Sequence, residues 1–304
     1  MFSTYVKIVA AYPWMLPTAA ALLGAMVGSF LNVVIYRVPA EKSVVTPGSH
    51  CSCGKPIAWY NNIPVVSWFI LRGRARCCGA PFSFRYPFVE LLTAGLFLAS
   101  WLHFTPAVAI VGWGFLSCLV CATFIDLDHM IIPDTFTLGL GTGGVILSIF
   151  VPALHGQHSD FFLLASIRAA TLSIQGLLIG SGLVLWIALL AEIIFKKEAM
   201  GFGDVKFVGA IGAFTGWQGA VIAVFGGAVI GTIWVAIAWL WQKTAGGSAA
   251  PAALKAETAE GEPTVIGLGA QVPFGPMLAI AGAIYFLFLR DFFTAWFNQF
   301  RELL

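Results

Sequence analysis

Gly201-Phe202-Gly203-Asp204-Val205-Lys206 places an acid and a base between glycines where a membrane helix is about to begin. A carboxylate at that depth costs roughly 3 kcal/mol on insertion scales, so its default reading is functional and it requires a partner. The sequence around it sets the solvent. The 304 residues are 59% hydrophobic and 10% charged, with mean hydropathy +0.90. A soluble domain has about a quarter of its residues charged, so this is a chain for lipid, where backbone polar groups must be satisfied within helices. The class expected is an all-α polytopic membrane protein.

Working outward, the apolar runs predict about eight spans: 16–36, 87–104, 106–125, 132–152, 171–195, 205–218, 219–241 and 273–289. Small residues such as Gly176, Gly180 and Gly182 predict close helix packing. The sixth span is short, and Gly212 and Gly216 make it flexible. No cleavable signal peptide is expected, because no basic cluster precedes the first run.

Basic residues give the orientation. Arg37, Lys42, Lys55, Arg72, Arg74, Arg76, Arg85, Lys196, Lys197, Lys206, Lys243 and Lys255 fall on one side of an eight-span chain. Only Lys7, Arg168, Arg290 and Arg301 fall on the other. The first side is therefore read as cytoplasmic, with both termini outside. The division follows: 1–36 an N-terminal span, 37–86 a small cytoplasmic cysteine-containing domain, and 87–304 a membrane-embedded domain. Within the last, 243–270 is an Ala-, Gly-, Glu- and Pro-rich cytoplasmic loop. The outside loop 153–170 is short and polar. The net charge of +2 gives no reason to expect nucleic acid as a partner; the lipid bilayer is one by composition.

Partners for Asp204 lie between the third and fourth spans, in Ile125-Asp126-Leu127-Asp128-His129-Met130-Ile131-Ile132-Pro133-Asp134. By the same topology this joint faces the cytoplasm, as the 201–206 turn does. Two carboxylates sharing a proton are the machinery of aspartic proteolysis, one activating water and the other polarising the scissile carbonyl. Gly201 and Gly203 would let an extended peptide approach the acid. Spacing alone does not choose among Asp126, Asp128 and Asp134. Intramembrane acids also serve as proton relays in transporters, the rival reading.

Four of the six cysteines crowd into 51–78, as Cys51-Ser52-Cys53 and Cys77-Cys78. In a cytosolic segment such a cluster reads as metal binding before disulfides. Adjacent cysteine side chains tend to diverge, so Cys77 is expected to reach a shared metal only through a shifted loop. Otherwise the segment is a knuckle folded by packing of Trp59, Trp68 and Phe69.

Seven motifs in order resemble the bacterial prepilin peptidases, or type IV leader peptidases, of the intramembrane Gly-x-Gly-Asp type. They are 28–37 (Gly-Ser-Phe-Leu-Asn-Val-Val-Ile-Tyr-Arg), Asn62-Ile63-Pro64, Arg72-Gly73, Arg85-Tyr-Pro-Phe-Val-Glu90, the 125–134 joint, 201–206 and Pro273-Phe274-Gly275-Pro276. The resemblance implies Asp126 and Asp204 as the catalytic aspartates. The implied reaction is removal of a leader from prepilins or pseudopilins, just after a glycine, at the cytoplasmic face of the bacterial inner membrane. Proteolysis would need no cofactor. Many members then N-methylate the new first residue from S-adenosylmethionine; a peptidase without that step is the alternative. Glu90, Lys206, Gly201 and Gly203 become candidates for substrate or donor binding. The family's two Cys-x-x-Cys pairs imply zinc on Cys51, Cys53, Cys77 and Cys78, with spacing altered here and Ala75 where a third cysteine belongs.

Overall fold

The computed structural model describes residues 11–51, 53–196, 200–245, 256–257, 263–264 and 272–302. Lys7, Lys197, Lys255 and most of 243–270 lie outside the described residues, as do the side chains of Trp59, Lys243 and Arg301. The helices are α1 (Met15–Arg37), α2 (Val66–Ile70), α3 (Arg85–His103), α4 (Pro106–His129), α5 (Leu138–Phe150), α6 (Phe162–Phe195), α7 (Phe202–Ala245), α8 (Gly275–Ile284) and α9 (Arg290–Glu302). A π-helical turn, Tyr285–Leu289, joins the last two.

Among the described residues, five helical stretches are long and apolar enough to cross a membrane: Met15–Arg37, Pro106–His129, Phe162–Ile194, Phe202–Trp241 and Gly275–Phe293. The expected spans 87–104 and 132–152 are helical as α3 and α5. They fall outside that group because α3 carries Arg85 and Glu90 and α5 has 13 residues. Phe150, Leu178, Trp186, Ile193 and Ile194 are exposed. Apolar surface on this scale has lipid as its natural neighbour.

The chain divides into two units, 1–121 and 122–304. In the first, α1 and α3 pack through Gly24 and Gly28, four residues apart on one face of α1. A Cβ on Gly24 would stand 2.8 Å from the Ala94 Cα, and one on Gly28 would stand 2.7 Å from the Glu90 Cα. Only glycines permit that approach. Trp113 on α4 stacks on Phe97 at 4.9 Å and donates its indole N–H to the Phe97 carbonyl at 3.0 Å.

In the second unit, α7 runs for 44 residues, about 66 Å if straight and over twice the hydrocarbon thickness. It is not straight. Gly216 takes φ 74°, ψ 178°, a conformation suited to glycine. The Ala220 Cβ lies 3.1 Å from where a Cβ on Gly212 would stand, whereas eight residues of helix separate their ends by about 12 Å. The chain doubles back at Gly216, inside the expected span 205–218 and just before the boundary expected between it and 219–241. The reversal leaves the Ala213 carbonyl without its helical partner. Ser173 Oγ and His155 Nε2 satisfy it, at 2.7 and 3.2 Å.

The first arm lies against α6 with almost no space between backbones. A Cβ on Gly176 would stand 2.1 Å from the Gly212 carbonyl oxygen, and one on Gly180 would stand 2.9 Å from that of Val208. Gly182 differs from the expectation, since a Cβ there would meet nothing within 4 Å. Gly212 serves packing rather than flexibility. The loop expected over 153–170 is also shorter, since His155 ends a buried 3-10 turn and α6 begins at Phe162.

Candidate active site and cysteine cluster

Asp204 sits in the first turn of α7 and Asp126 in the last turn of α4. Asp126 is 5% exposed and Asp204 is half-buried. Three backbone features frame the pair. Gly203 faces Ile132, whose Cβ would be 3.8 Å from a Cβ on the glycine. Ile132 in turn lies against Gly275, the first residue of α8. The Gly275 N–H donates to Asp126 Oδ2 at 3.0 Å. Segments distant in sequence thus meet around two carboxylates.

The geometry separates the three acids that spacing could not. Asp128 is exposed. Asp134 is exposed and forms an ion pair with Lys206, while Thr137 Oγ1 donates to the same carboxylate at 3.3 Å. Asp126 alone of the three is buried. Lys206 also lies 5.6 Å from the Phe202 ring centroid, so both its neighbours are residues of this chain. Gly201 is exposed, and a Cβ there would meet nothing closer than Asp204 Oδ2 at 3.9 Å. Packing does not require glycine at 201; the space in front of the acid is what its absent side chain leaves.

Glu90 lies in the first unit, 8% exposed on α3. Its Oε2 accepts the Val65 N–H at 2.6 Å, and it shares a side-chain hydrogen bond with Ser29. Val65 has φ 63° and caps α2, a backbone state that is strained for a β-branched residue. The carboxylate thus tethers the polar 37–86 segment to α3. Arg37 does similar work, donating to the Ser43 and Pro47 carbonyls at 2.9 and 2.7 Å.

Within that segment two knuckles bring the four thiols together. Lys55 folds back on Cys51, whose N–H donates to the Lys55 carbonyl, with Gly54 at φ 81°. In the second knuckle Gly79, at φ 72°, donates to the Ala75 carbonyl. The Cys51 and Cys78 Sγ atoms lie 3.5 Å apart, those of Cys53 and Cys77 lie 3.4 Å apart, and all four fall within 4.8 Å of one another. Thiolates on one tetrahedral ion with metal–sulfur bonds of about 2.3 Å have edges near 3.8 Å. The donor set fits a metal. The expected divergence of Cys77 and Cys78 is overturned, because the turn closed by Gly79 points both inward. The backbone N–H of Cys53 and neighbouring thiols pull Cys51 down to about 6, while sharing with Cys51 pushes Cys77 up to about 12. One thiolate among thiols is a cluster ready to take a cation. Trp68 packs edge-on to Phe69 and Phe84, part of the aromatic packing expected to fold the segment if no metal does.

The 273–276 motif has no role that the sequence alone assigns. Glycine before proline at the start of an apolar helix was the available signal, and the role becomes visible only when α8 is placed against Asp126.

Fold and site together define a helical membrane protein with two carboxylates gathered at helix ends. Residues 22–104 match the bacterial peptidase A24 N-terminal domain, and residues 113–236 match the type IV leader peptidase family. A prepilin leader peptidase/N-methyltransferase of Aeromonas hydrophila is 35% identical, over 94% of each chain. One from Stutzerimonas stutzeri is 31% identical over 99% of this chain and all of its own. One from Myxococcus xanthus is 39% identical over 70% of this chain and 61% of its own. No solved structure matches. The chain belongs to the type IV leader peptidase family.

Proposed function

We propose that this protein is a membrane-embedded aspartic endopeptidase that removes the leader of prepilins or pseudopilins after a glycine, and N-methylates the exposed residue. The observation that carries the reading is Ile132, which lies against Gly275 beside the buried Asp126 and against Gly203 beside Asp204, so that the two acids border one side chain from separate helices. Agreement of the relatives' names with the motif order supports it. A proton-relay transporter finds no such support.

In this reading the two aspartates share one proton. The ionised carboxylate takes a proton from water as the water oxygen bonds to the scissile carbonyl carbon. The protonated carboxyl gives its proton to the carbonyl oxygen, forming a neutral tetrahedral diol. Collapse breaks the C–N bond, with a proton passing to the leaving nitrogen, and no bond to the enzyme forms. The space at Gly201 admits the peptide backbone. S-adenosylmethionine, when bound, supplies the methyl group for the second step. Cys51, Cys53, Cys77 and Cys78 would hold zinc, which would lock the two knuckles of 37–86 together.

The excess of basic residues supports a site at the cytoplasmic face of a bacterial inner membrane, with eight passes if α3, α5 and both arms of α7 each cross. The units of function are then 1–36, 37–86 and 87–304. Cleavage of a prepilin in detergent tests the reading. Asp126→Asn and Asp204→Asn each abolish it while insertion persists, and Asp128→Asn retains most activity. Wild-type cleavage by either of the first two removes that residue from the mechanism. A processed N-terminus lacking the roughly 14 Da of one added methylene would leave the peptidase alone.

A further inference from the structure

We propose that Gly275 is a positioning residue for the aspartate pair: its backbone N–H fixes Asp126 Oδ2, and its missing side chain leaves the room that oxygen occupies. The inference rests on the assignment of Asp126 as catalytic.

The first turn of a helix has N–H groups without intrahelical acceptors. In α8 the second residue is Pro276, which has no N–H, so the Gly275 amide is the donor the chain has placed at this end. Met277 and Leu278 donate back to the Phe274 carbonyl at 3.1 and 3.2 Å, and are spent on the turn itself. The Gly275 amide instead reaches Asp126 Oδ2 at 3.0 Å across 149 residues of sequence. An amide is only a donor, so Oδ2 is held as an acceptor and a proton on Asp126 belongs on Oδ1. The shared proton thereby has a defined oxygen.

Space makes the second half of the case. A Cβ at 275 would lie 2.7 Å from Asp126 Oδ2, 3.2 Å from its Cγ and 2.9 Å from Ile132 Cδ1. Ile132 also backs Gly203 on the Asp204 side, so it has little freedom to withdraw. Any side chain at 275 displaces the carboxylate.

Two variants of the full-length enzyme in detergent test this. Nonsense suppression with glycolic acid at 275 replaces the amide N–H by an ester oxygen and adds no atoms to crowd the site. It lowers kcat for prepilin cleavage roughly 10- to 100-fold, as loss of one hydrogen bond to a charged group does. KM stays within about threefold, and the pH–rate profile moves. Gly275→Ala lowers kcat at least as far. As a packing control on the same helix as Gly275, Gly282→Ala places a Cβ 3.0 Å from Ile211 of α7; it lowers the melting temperature with kcat and pH profile unmoved. An ester variant with wild-type kcat and an unmoved profile overturns the proposal. If Asp126→Asn is inactive in the same assay, only the positioning role has then failed. If Asp126→Asn is fully active, the catalytic assignment has failed and takes the proposal with it.

Discussion

Lys206 and Asp134 form an ion pair that ties the start of α7, which carries Asp204, to the joint that follows α4, whose last turn carries Asp126. The pair is partly wet, with Lys206 23% and Asp134 63% exposed. Its stabilisation is therefore about 1 kcal/mol or less. Its larger consequence is geometric, since Lys206 lies two residues from Asp204.

Lys206→Glu opposes two acids at this point and is expected to lower prepilin cleavage about tenfold, with a change in melting temperature of only a few degrees. Adding Asp134→Lys to that variant restores most of the activity. Rates and melts of the two single variants and the double variant decide it. A double variant no better than Lys206→Glu shows that the pair does not hold the segments together.

The cysteine cluster makes a prediction about pH. With Cys51 lowered to about 6 and Cys77 raised to about 12, Cys51 is a thiolate at neutrality and Cys77 a thiol. In metal-free protein iodoacetamide should modify Cys51 first, with a rate that climbs through pH 6 and levels above pH 7. Stoichiometric zinc should abolish labelling of all four cysteines, read by peptide mass spectrometry. Labelling unaffected by zinc would remove the metal from the reading.

What could be read from the chain beforehand was chemistry that declares itself by residue type. Asp204 between glycines, acids at the 125–134 joint and four clustered thiols are costly or reactive wherever they sit, so sequence exposes them. The stretch 205–241 was also legible as two spans, although the boundary expected from sequence falls after residue 218 and the reversal lies at Gly216. Contacts between distant backbones were not legible. Gly182 and Gly176 look alike in sequence, yet only Gly176 meets another helix; the difference is which face α6 turns to α7. Gly275 likewise acquires meaning from the approach of Asp126. The convergence of Cys77 and Cys78 depends on the left-handed turn at Gly79, which a spacing rule does not contain.

The sequence places His155 in a polar loop, whereas the structure has it half-buried, supporting the reversal at Gly216 through the Ala213 carbonyl. Burial, and then the nearby Arg290 charge, lower its titration from 6.5 to about 4. In the unfolded chain it takes up a proton near 6.5. The native state thus binds fewer protons between these values, and stability is full above about pH 6.5 and lost as pH falls toward 4. Melting temperature in detergent should decline over that window. His155→Gln, which keeps an N–H donor but does not titrate, should flatten the decline; an unchanged slope would place the acid sensitivity elsewhere.

Gly176 and Gly182 provide the last test, because they ask whether backbone proximity holds α6 against α7. At Gly176 the obstruction to a Cβ is backbone on both sides: the Gly212 carbonyl oxygen at 2.1 Å and the Gly216 carbonyl carbon at 2.9 Å. Neither can rotate away as a side chain would, so relief requires the helices to separate. Overpacking of this kind costs about 1–3 kcal/mol or more, and separation would also displace the first arm of α7, which begins at the turn bearing Asp204. Gly176→Ala should therefore lower both the melting temperature and cleavage activity. At Gly182 no atom lies within 4 Å of a Cβ, and alanine is favoured over glycine inside a helix by up to about 1 kcal/mol. Gly182→Ala should leave activity unchanged and keep or raise the melting temperature. Equal effects of the two substitutions would mean that the close approach of α6 and α7 is not what positions Asp204.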